Sequence, residues 1–222
     1  MMKDIKRITI FAGHYGSGKT NIAVNYALKV KEATGSKVSL ADLDIVNPYY
    51  RAKDSTDILA AKGIKLISSE FANSNVDLPA MPSEAYAIID DKETYAVCDV
   101  GGDDRGAYAL GRYRDGILAE DYEMMLVINK YRPLTRNVSD LKEIKEEIER
   151  AAGIPFTGIV NNSNLGLLTT KEDVEASYAY AEEASRATGL PLRFTTVWEK
   201  IYNEFEIKEN LMPIVLQERD FW

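Results

Sequence analysis

Cysteine and histidine are scarce in this sequence. Its 222 residues include one cysteine, Cys98, and one histidine, His14. A single cysteine excludes an internal disulfide framework and any Cys-x-x-Cys metal site. This usage is typical of proteins from a reducing compartment, and we therefore expect a cytoplasmic protein.

Long apolar runs and a surplus of positive charge are missing as well. No stretch approaches the 18 or so apolar residues from which a membrane-spanning helix is predicted, and residues 1–6 do not resemble a signal peptide. The 27 basic residues are outnumbered by 35 acidic ones, which gives a net charge of −8. This charge disfavours nucleic acid and anionic membranes as partners, and we expect neither.

The composition that remains is that of one globular unit. Hydrophobic residues make up 45% of the chain and charged residues 28%, which is typical of a folded domain. A chain of this length can bury the core of one α/β domain without needing a second. We expect residues 1–222 to form a single domain.

The most informative stretch reads Gly-His-Tyr-Gly-Ser-Gly-Lys-Thr and covers residues 13–20. It fits G-x-x-x-x-G-K-[ST], the phosphate-binding P-loop. Residues 7–12 before it predict a buried strand, and residues 21–31 after it place their apolar side chains on one helical face. The alternative is a strand, turn and helix that is merely rich in glycine. The flanks favour a P-loop.

Each residue type in this loop has a physical role. Glycines have no Cβ, so the backbone N–H groups can approach phosphate oxygens, and the helix that follows points its positive end at the same anion. We expect Lys19 to reach the β- and γ-phosphates as a catalytic residue and the Thr20 hydroxyl to ligate Mg²⁺. The predicted nucleotide-binding residues of the loop are Gly13, His14, Tyr15, Gly16, Ser17, Gly18, Lys19 and Thr20.

Two further predicted strands end in acidic residues. The strand at 37–41 delivers Asp42 and Asp44, and the strand at 94–99 ends in Asp99, before a pair of glycines. Because ligands of open α/β sheets collect at the carboxyl ends of strands, we expect Asp99 in the Mg²⁺ shell. The alternative for Asp99 is a turn residue or a helix N-cap.

The rest of the chain alternates between predicted strands and helices. We predict strands at 64–68, 122–128, 156–160 and 192–196, and helices at 138–152, 171–188 and 197–208. In the last helix, an aromatic and apolar stripe from Trp198 to Phe205 is expected to face the core. This alternation predicts an α/β fold with three layers, in which helices flank a mainly parallel sheet.

With these residues in view, the chain resembles the MinD/ParA/CobQ/CobB-like branch of the SIMIBI class of P-loop ATPases, from the first strand to about residue 200. The resemblance rests on the glycine-rich loop, on Asp42 and Asp44, and on Asp99 with the glycines that follow it. It implies that the protein binds ATP and Mg²⁺ and hydrolyses ATP as a switch that acts on a partner protein. It also implies that Asp44 orients the attacking water and that Asp42 supports the metal.

The base-binding residue is implied by the same resemblance. Asn161, at the end of a predicted strand, is similar to the adenine-reading residue of the family, and its neighbour Asn162 is the alternative. An amide can both donate to and accept from the adenine edge, which an aspartate cannot do. Residues 129–132 begin like the guanine-reading Asn-Lys-x-Asp motif but have Arg132 in place of the acid. These features favour ATP over GTP.

One position departs from the family pattern. The branch usually carries a lysine after the first glycine of the loop, which reaches the phosphates of a second protomer. Here His14 occupies that position and Tyr15 follows it. His14 either replaces part of the lysine's charge or only shapes the loop, so an ATP-driven homodimer stays open.

Two other interpretations concern surfaces beyond the loop. A small-molecule kinase or ligase of the dethiobiotin-synthetase or cobyrinate-amidase type would bind an acceptor near Arg105, Tyr108 and Arg112, and Arg105 is also a candidate for stabilising γ-phosphate charge. Residues 49–51, Tyr-Tyr-Arg, are candidate contacts for a partner protein, and the alternative is that the two tyrosine rings pack over the edge of the sheet.

Overall fold

The computed structural model of the protein describes residues 4–44, 55–68, 86–101 and 104–216. Within these residues one sheet of eight parallel strands forms the centre of the molecule. The strands are β1 (Ile8–Ala12), β2 (Lys37–Leu43), β3 (Ile64–Ser68), β4 (Thr94–Val100), β5 (Tyr122–Ile128), β6 (Gly158–Asn161), β7 (Leu192–Trp198) and β8 (Leu211–Ile214). Their spatial order is β3-β2-β4-β1-β5-β6-β7-β8.

Helices cover both faces of this sheet. They are α1 (Lys19–Thr34), α2 (Thr56–Ala61), α3 (Ala87–Asp90), α4 (Asp104–Gly111), α5 (Arg114–Leu118), α6 (Val138–Ala152), α7 (Lys171–Ala176) and α8 (Tyr178–Thr188). Side chains of α1 and α2 share one hydrophobic core with one face of the sheet, and side chains of α3 to α6 and α8 share another with the opposite face. The predicted three-layer α/β fold with a parallel sheet is confirmed.

The central strand is β1. All five of its residues are buried, as expected for a parallel strand covered on both faces. Ile10 packs in the core beneath α4 to α6, whereas its neighbour Phe11 packs beneath α1, because successive strand residues point to opposite faces. In the strand order β1 lies between β4 and β5, so the chain leaves β1 near the middle of the carboxyl edge of the sheet.

The sheet changes its direction of growth at β1. The chain builds β2, β3 and β4 on one side of this strand and β5 to β8 on the other. The crevice at the carboxyl ends of the strands beside such a reversal is where open α/β sheets bind ligands. The P-loop sequence leaves β1 at this point, with β4 and β5 as the neighbouring strands.

The predicted helix at 197–208 is wrong. β7 continues to Trp198, where Val197 and Trp198 pair with Pro213 and Ile214 of β8, and residues 199–204 form only a short 3-10 helix. The spacing of Trp198, Tyr202 and Phe205 fits one face of an α-helix, but only the side chain of Phe205 is buried. β8 was not predicted. It is compatible with Pro213 because, in the described residues, it lies at the edge of the sheet.

The predicted helix at 171–188 is interrupted. Ser177 separates α7 from α8, and its hydroxyl donates to the carbonyl oxygen of Val174 at 2.6 Å. The predicted partner contacts at 49–51 lie outside the described residues. Among the helices of the described ranges, none is long and apolar enough to cross a membrane.

Candidate functional site

The residues from Gly13 to Gly18 form a loop whose backbone conformation requires glycine at three positions. The φ angles of Gly13, Gly16 and Gly18 are 144°, 80° and 90°, values that other residues rarely adopt. A Cβ on Gly13 would lie 2.7 Å from the carbonyl oxygen of Val127, and one on Gly18 would lie 2.2 Å from Nδ2 of Asn162. The loop is therefore packed between the ends of β5 and β6.

Lys19 and Thr20 start α1 directly behind this loop. Lys19 is only 5% exposed, and its Nζ donates to the carbonyl oxygen of His14 at 3.2 Å, so its side chain reaches back across the loop. Oγ of Ser17 and Nδ1 of His14 are buried without a hydrogen-bond partner in the described residues. Buried polar atoms of this kind need a partner to offset their desolvation, and a phosphate group supplies an acceptor for the Ser17 hydroxyl.

Three aspartates gather beside Thr20. The Thr20 hydroxyl donates to Oδ2 of Asp99 at 2.5 Å. Asp42 and Asp99 are direct partners in the pairing of β2 with β4, and the N–H of Asp44 donates to Oδ1 of Asp42 at 3.2 Å. A Cβ on Gly101 would lie 3.1 Å from Oδ1 of Asp44, so Gly101 allows its backbone to approach that carboxylate.

The environment of Asp99 suits a bound cation. Burial and the neighbouring Asp42 raise the pKa of Asp99 to about 8, although Lys19 and the Thr20 hydroxyl act in the opposite direction. Its Oδ1 is buried with no hydrogen-bond partner among the described residues. A divalent cation would offset this cost, and the oxygen donors present are those that Mg²⁺ prefers.

The same ranges contain no cluster of three or more His, Cys, Asp or Glu side chains with the geometry of a metal cage. Mg²⁺ often needs no such cage, since it keeps several waters and uses one or two protein ligands with substrate phosphates. The residues present, Thr20 with Asp99 and Asp42, therefore fit Mg²⁺ held together with a phosphate chain.

A cavity of about 280 Å³ opens above the loop. Its lining combines the loop and the start of α1 with residues from the ends of β2, β5, β6 and β8: Tyr15, Gly16, Gly18, Lys19, Thr20, Asn21, Asp44, Arg132, Asn162, Asn164, Gly166, Leu167 and Leu216. The aspartates lie on the β4 side of β1, whereas the asparagines and Leu216 lie on its other side. The cavity thus has an ionic side towards β2 and β4 and an amide and apolar side towards β6 and β8, and Arg132 follows β5, the strand next to β1 on the latter side.

The asparagines after β6 have different surroundings. Asn161 is fully buried: its Nδ2 donates to the Ser177 hydroxyl at 2.8 Å, its Oδ1 accepts from the Ser163 hydroxyl at 2.6 Å, and it does not line the cavity. Asn162 lines the cavity, but both ends of its amide are engaged. Its Nδ2 donates to the carbonyl oxygen of Ser17 in the loop, and its Oδ1 accepts from the hydroxyl of Thr196 in β7.

Asn164 also lines the cavity and keeps unused hydrogen-bonding capacity. Its Nδ2 donates to the Asn162 carbonyl oxygen at 2.8 Å and its Oδ1 accepts from the N–H of Gly166 at 3.1 Å. One amide hydrogen and one lone pair are left for a ligand.

Leu216 reaches the cavity because α1 holds the segment after β8. Nδ2 of Asn25 donates to the Val215 carbonyl oxygen at 2.9 Å, and Oδ1 of Asn25 accepts from the Val215 N–H at 2.8 Å. Nδ2 of Asn21 donates to the same carbonyl oxygen at 3.0 Å. Three hydrogen bonds thus fix the backbone immediately before Leu216.

The structure brings together most of the predicted site. Lys19, Thr20, Asp42, Asp44 and Asp99 surround one place, as the sequence predicts. The candidate acceptor residues Tyr108 and Arg112 do not line the cavity. The sequence patterns did not predict a role for Asn21, Asn25, Asn164, Leu167 or Leu216. Asn164 belongs to the polar run Asn-Asn-Ser-Asn that follows the predicted strand at 156–160, but nothing in the run distinguishes it from its neighbours.

Comparisons with known proteins connect this fold to solved structures. FtsY from Thermotoga maritima superposes with a TM-score of 0.57 at 20% identity, covering 93% of this chain and 64% of that one. The 54 kDa signal recognition particle protein from Aeropyrum pernix K1, in complex with GDP, gives 0.55 at 16% identity, covering 88% and 42%. FtsY from Mycoplasma mycoides gives 0.57 at 18% identity, covering 86% and 59%.

Likenesses at this level of identity show the fold alone. The chain spans less than two thirds of the length of each of these three structures. Its sequence matches no protein-family model, and no curated protein matches it significantly. The chain has the α/β fold of P-loop nucleoside triphosphatases.

Proposed function

We propose that this protein binds a nucleoside triphosphate with Mg²⁺, hydrolyses it, and uses the two nucleotide states as a switch that acts on a partner protein. The observation that carries the proposal is the meeting of a glycine-dependent loop, a buried lysine and the Thr20–Asp99 pair beside one cavity. In this reading the chain belongs to the MinD/ParA/CobQ/CobB-like branch that its motifs resemble.

The loop and Lys19 bind the phosphate chain. Backbone N–H groups of the loop and the ammonium of Lys19 offset the charge of the β- and γ-phosphates, and Thr20, Asp42 and Asp99 hold Mg²⁺. When bound, Mg²⁺ supplies positive charge to the phosphate oxygens. Lys19 exchanges its contact with the His14 carbonyl oxygen for phosphate oxygens.

Asp44 orients the attacking water. Its carboxylate lies at the cavity wall, beside the backbone of Gly101, where it accepts a hydrogen bond from the water. The water oxygen bonds to the γ-phosphorus, the bond to the β–γ bridging oxygen breaks with its electron pair left on the diphosphate, and the water's hydrogens leave with inorganic phosphate. Preorganised charge around the transferring group supplies the catalysis.

Asn164 is the base-reading residue in this proposal and ATP is the preferred nucleotide. Its free amide hydrogen and lone pair match the acceptor and donor pair on the edge of adenine, whereas Asn161 has its amide fully engaged elsewhere. Leu167 and Leu216 supply apolar contacts for the base. A structural neighbour is named as a GDP complex, so GTP is the competing ligand.

Titration of the protein with MgATP and MgGTP tests this proposal. We expect saturable binding of MgATP, weaker binding of MgGTP, release of inorganic phosphate, and loss of binding in Lys19→Ala. Asn164→Asp removes the amide donor and should shift preference from ATP towards GTP. A wild-type protein that binds neither nucleotide would contradict the proposal.

Light scattering tests the switch. The mass in solution is measured with MgATP and again with MgADP. If a dimer forms only with MgATP, the partner is a second copy of the chain, and His14 is the first residue to replace. If the protein is a monomer in both states, the partner is a different protein.

A further inference from the structure

Arg132 lies in the loop between β5 and α6, and this loop starts against the P-loop. The backbone of Val127, near the end of β5, occupies the space where a Cβ of Gly13 would lie. Residues 129–135 therefore leave the sheet beside the first half of the phosphate-binding loop. Arg132 lines the same cavity as Lys19 and Asp44.

The residues around Arg132 are held in place by hydrogen bonds. The N–H of Tyr131 donates to Oδ1 of Asn129 at 3.0 Å, and the Thr135 hydroxyl donates to the Asn129 carbonyl oxygen at 2.7 Å. These two bonds close the loop on itself, so the backbone that carries Arg132 is well defined.

The loop is also tied to α7 and α8. The Tyr131 hydroxyl donates to the carbonyl oxygen of Asp173 at 2.7 Å, Nζ of Lys130 donates to that of Ala176 at 2.7 Å, and the Tyr180 hydroxyl donates to that of Thr135. Because Lys130 and Tyr131 before the arginine and Thr135 after it are anchored, the loop presents its guanidinium from a fixed backbone.

The guanidinium itself is uncommitted. Arg132 is exposed, and in the described ranges its side chain makes no hydrogen bond or ion pair. Of the described residues that line the cavity, only Lys19 and Arg132 carry a positive charge. By contrast, Arg114 donates to Gly153 and Asp115, away from the cavity.

We propose that Arg132 contacts the terminal phosphate of the bound nucleotide and stabilises the negative charge that develops there during hydrolysis. This assignment rests on the proposed function. A planar guanidinium can donate two parallel hydrogen bonds to phosphate oxygens, and an arginine in this role is a large part of catalysis in other phosphate-transferring sites.

The test compares Arg132→Ala and Arg132→Lys with Arg136→Ala. Arg136 is exposed, lies four residues along and does not line the cavity, so it is a matched control for loss of one arginine. We expect kcat to fall on the order of 10³-fold in Arg132→Ala, with a change in the Kd for MgATP of less than about fivefold. Arg132→Lys should lie between Arg132→Ala and wild type, and Arg136→Ala should match wild type.

A second readout does not require turnover. Fluoroaluminate added to the MgADP complex mimics the transferring phosphoryl group, and we expect it to tighten nucleotide binding in wild type and Arg136→Ala but not in Arg132→Ala. A kcat for Arg132→Ala within twofold of wild type, or an equal loss in Arg136→Ala, would overturn the assignment alone. A wild type that binds no nucleotide would overturn the proposed function with it.

Discussion

The hydroxyl of Thr20 donates a hydrogen bond to Oδ2 of Asp99 across 2.5 Å and so joins the first turn of α1 to the end of β4. The two residues are separated by 79 positions in the sequence. The bond satisfies one carboxylate oxygen and leaves Oδ1 buried without a partner in the part of the chain described. An ionised Asp99 therefore destabilises the metal-free fold.

Asp99→Asn should stabilise the metal-free protein at high pH. The pKa of Asp99 is about 8 in the folded protein, against 3.8 for an ordinary aspartate, so the folded state holds a proton that the unfolded state loses. The free energy of unfolding then falls as pH rises from about 4 to about 8. An asparagine at this position has no proton to lose, and we expect the variant to be more stable than wild type at pH 8, by roughly 5 kcal/mol, and nearly equal to it at pH 4.

Urea unfolding at both pH values in the presence of a chelator measures this difference. Asp115→Asn, which replaces an exposed carboxylate on α5, is the control and should behave as wild type. A stability gain in Asp99→Asn that does not change with pH would contradict the pKa assigned to Asp99. The variant should also lose Mg²⁺-dependent nucleotide binding.

Gly18→Ala should abolish nucleotide binding. The new Cβ would meet Nδ2 of Asn162 at 2.2 Å in a residue with φ of 90°, so both the loop and the Asn162 contact must move. Gly35→Ala is the matched control, because Gly35 also has a positive φ, 65°, but has open space around it. It should cost only about 1 kcal/mol of stability and leave the Kd unchanged. Isothermal titration with MgATP on both variants makes the comparison, and equal affinities would show that the loop tolerates a Cβ at position 18.

Leu216→Ala should weaken binding of the base without weakening binding of phosphate. Loss of one apolar side chain from a base contact corresponds to about 1–2 kcal/mol, or a roughly five- to thirtyfold rise in Kd for MgATP. Inorganic tripolyphosphate with Mg²⁺ has no base, and its affinity should stay within twofold of wild type. Ile207→Ala removes a side chain that is 79% exposed and serves as the control. Parallel losses for both ligands would place Leu216 outside the base pocket.

Cys98 should resist alkylation in the folded protein. Burial raises the pKa of its thiol to about 12, and the side chain is completely buried on β4, so neither thiolate nor access is available. Iodoacetamide followed by mass spectrometry should show an unmodified native chain at pH 8 and one added group in urea. Rapid modification of the native protein would mean that β4 opens locally.

The gathering of Lys19, Thr20 and the aspartates on the ionic side could be predicted from the sequence because local pattern specifies their positions. A P-loop is a contiguous motif, and Asp42 and Asp99 each follow a recognisable buried strand whose carboxyl end must lie at the same edge of the sheet. No long-range information was needed beyond the rule that parallel strands end together.

The amide and apolar side was not predictable in the same way. Leu216 enters the cavity only because β8 exists and because Asn25 binds Val215, and neither fact has a local signature. The residues that became β7 and the 3-10 helix were instead assigned to an α-helix, since the spacing of Trp198, Tyr202 and Phe205 fits a helical face. Sheet pairing with β8 overrode that local pattern.

The clamp between Asn25 and Val215 spans 190 positions of the chain, so the base-binding wall depends on the joining of the first helix to the last strand. Contacts of such long range form late in folding, because the entropy of closing the intervening chain must be overcome first. A ligand that needs this wall binds only the completed fold and stabilises it as a whole. The affinity for nucleotide should therefore depend on assembly of the whole fold. A substitution that disrupts β8 should remove the contacts to the base, although the phosphate-binding loop stays formed.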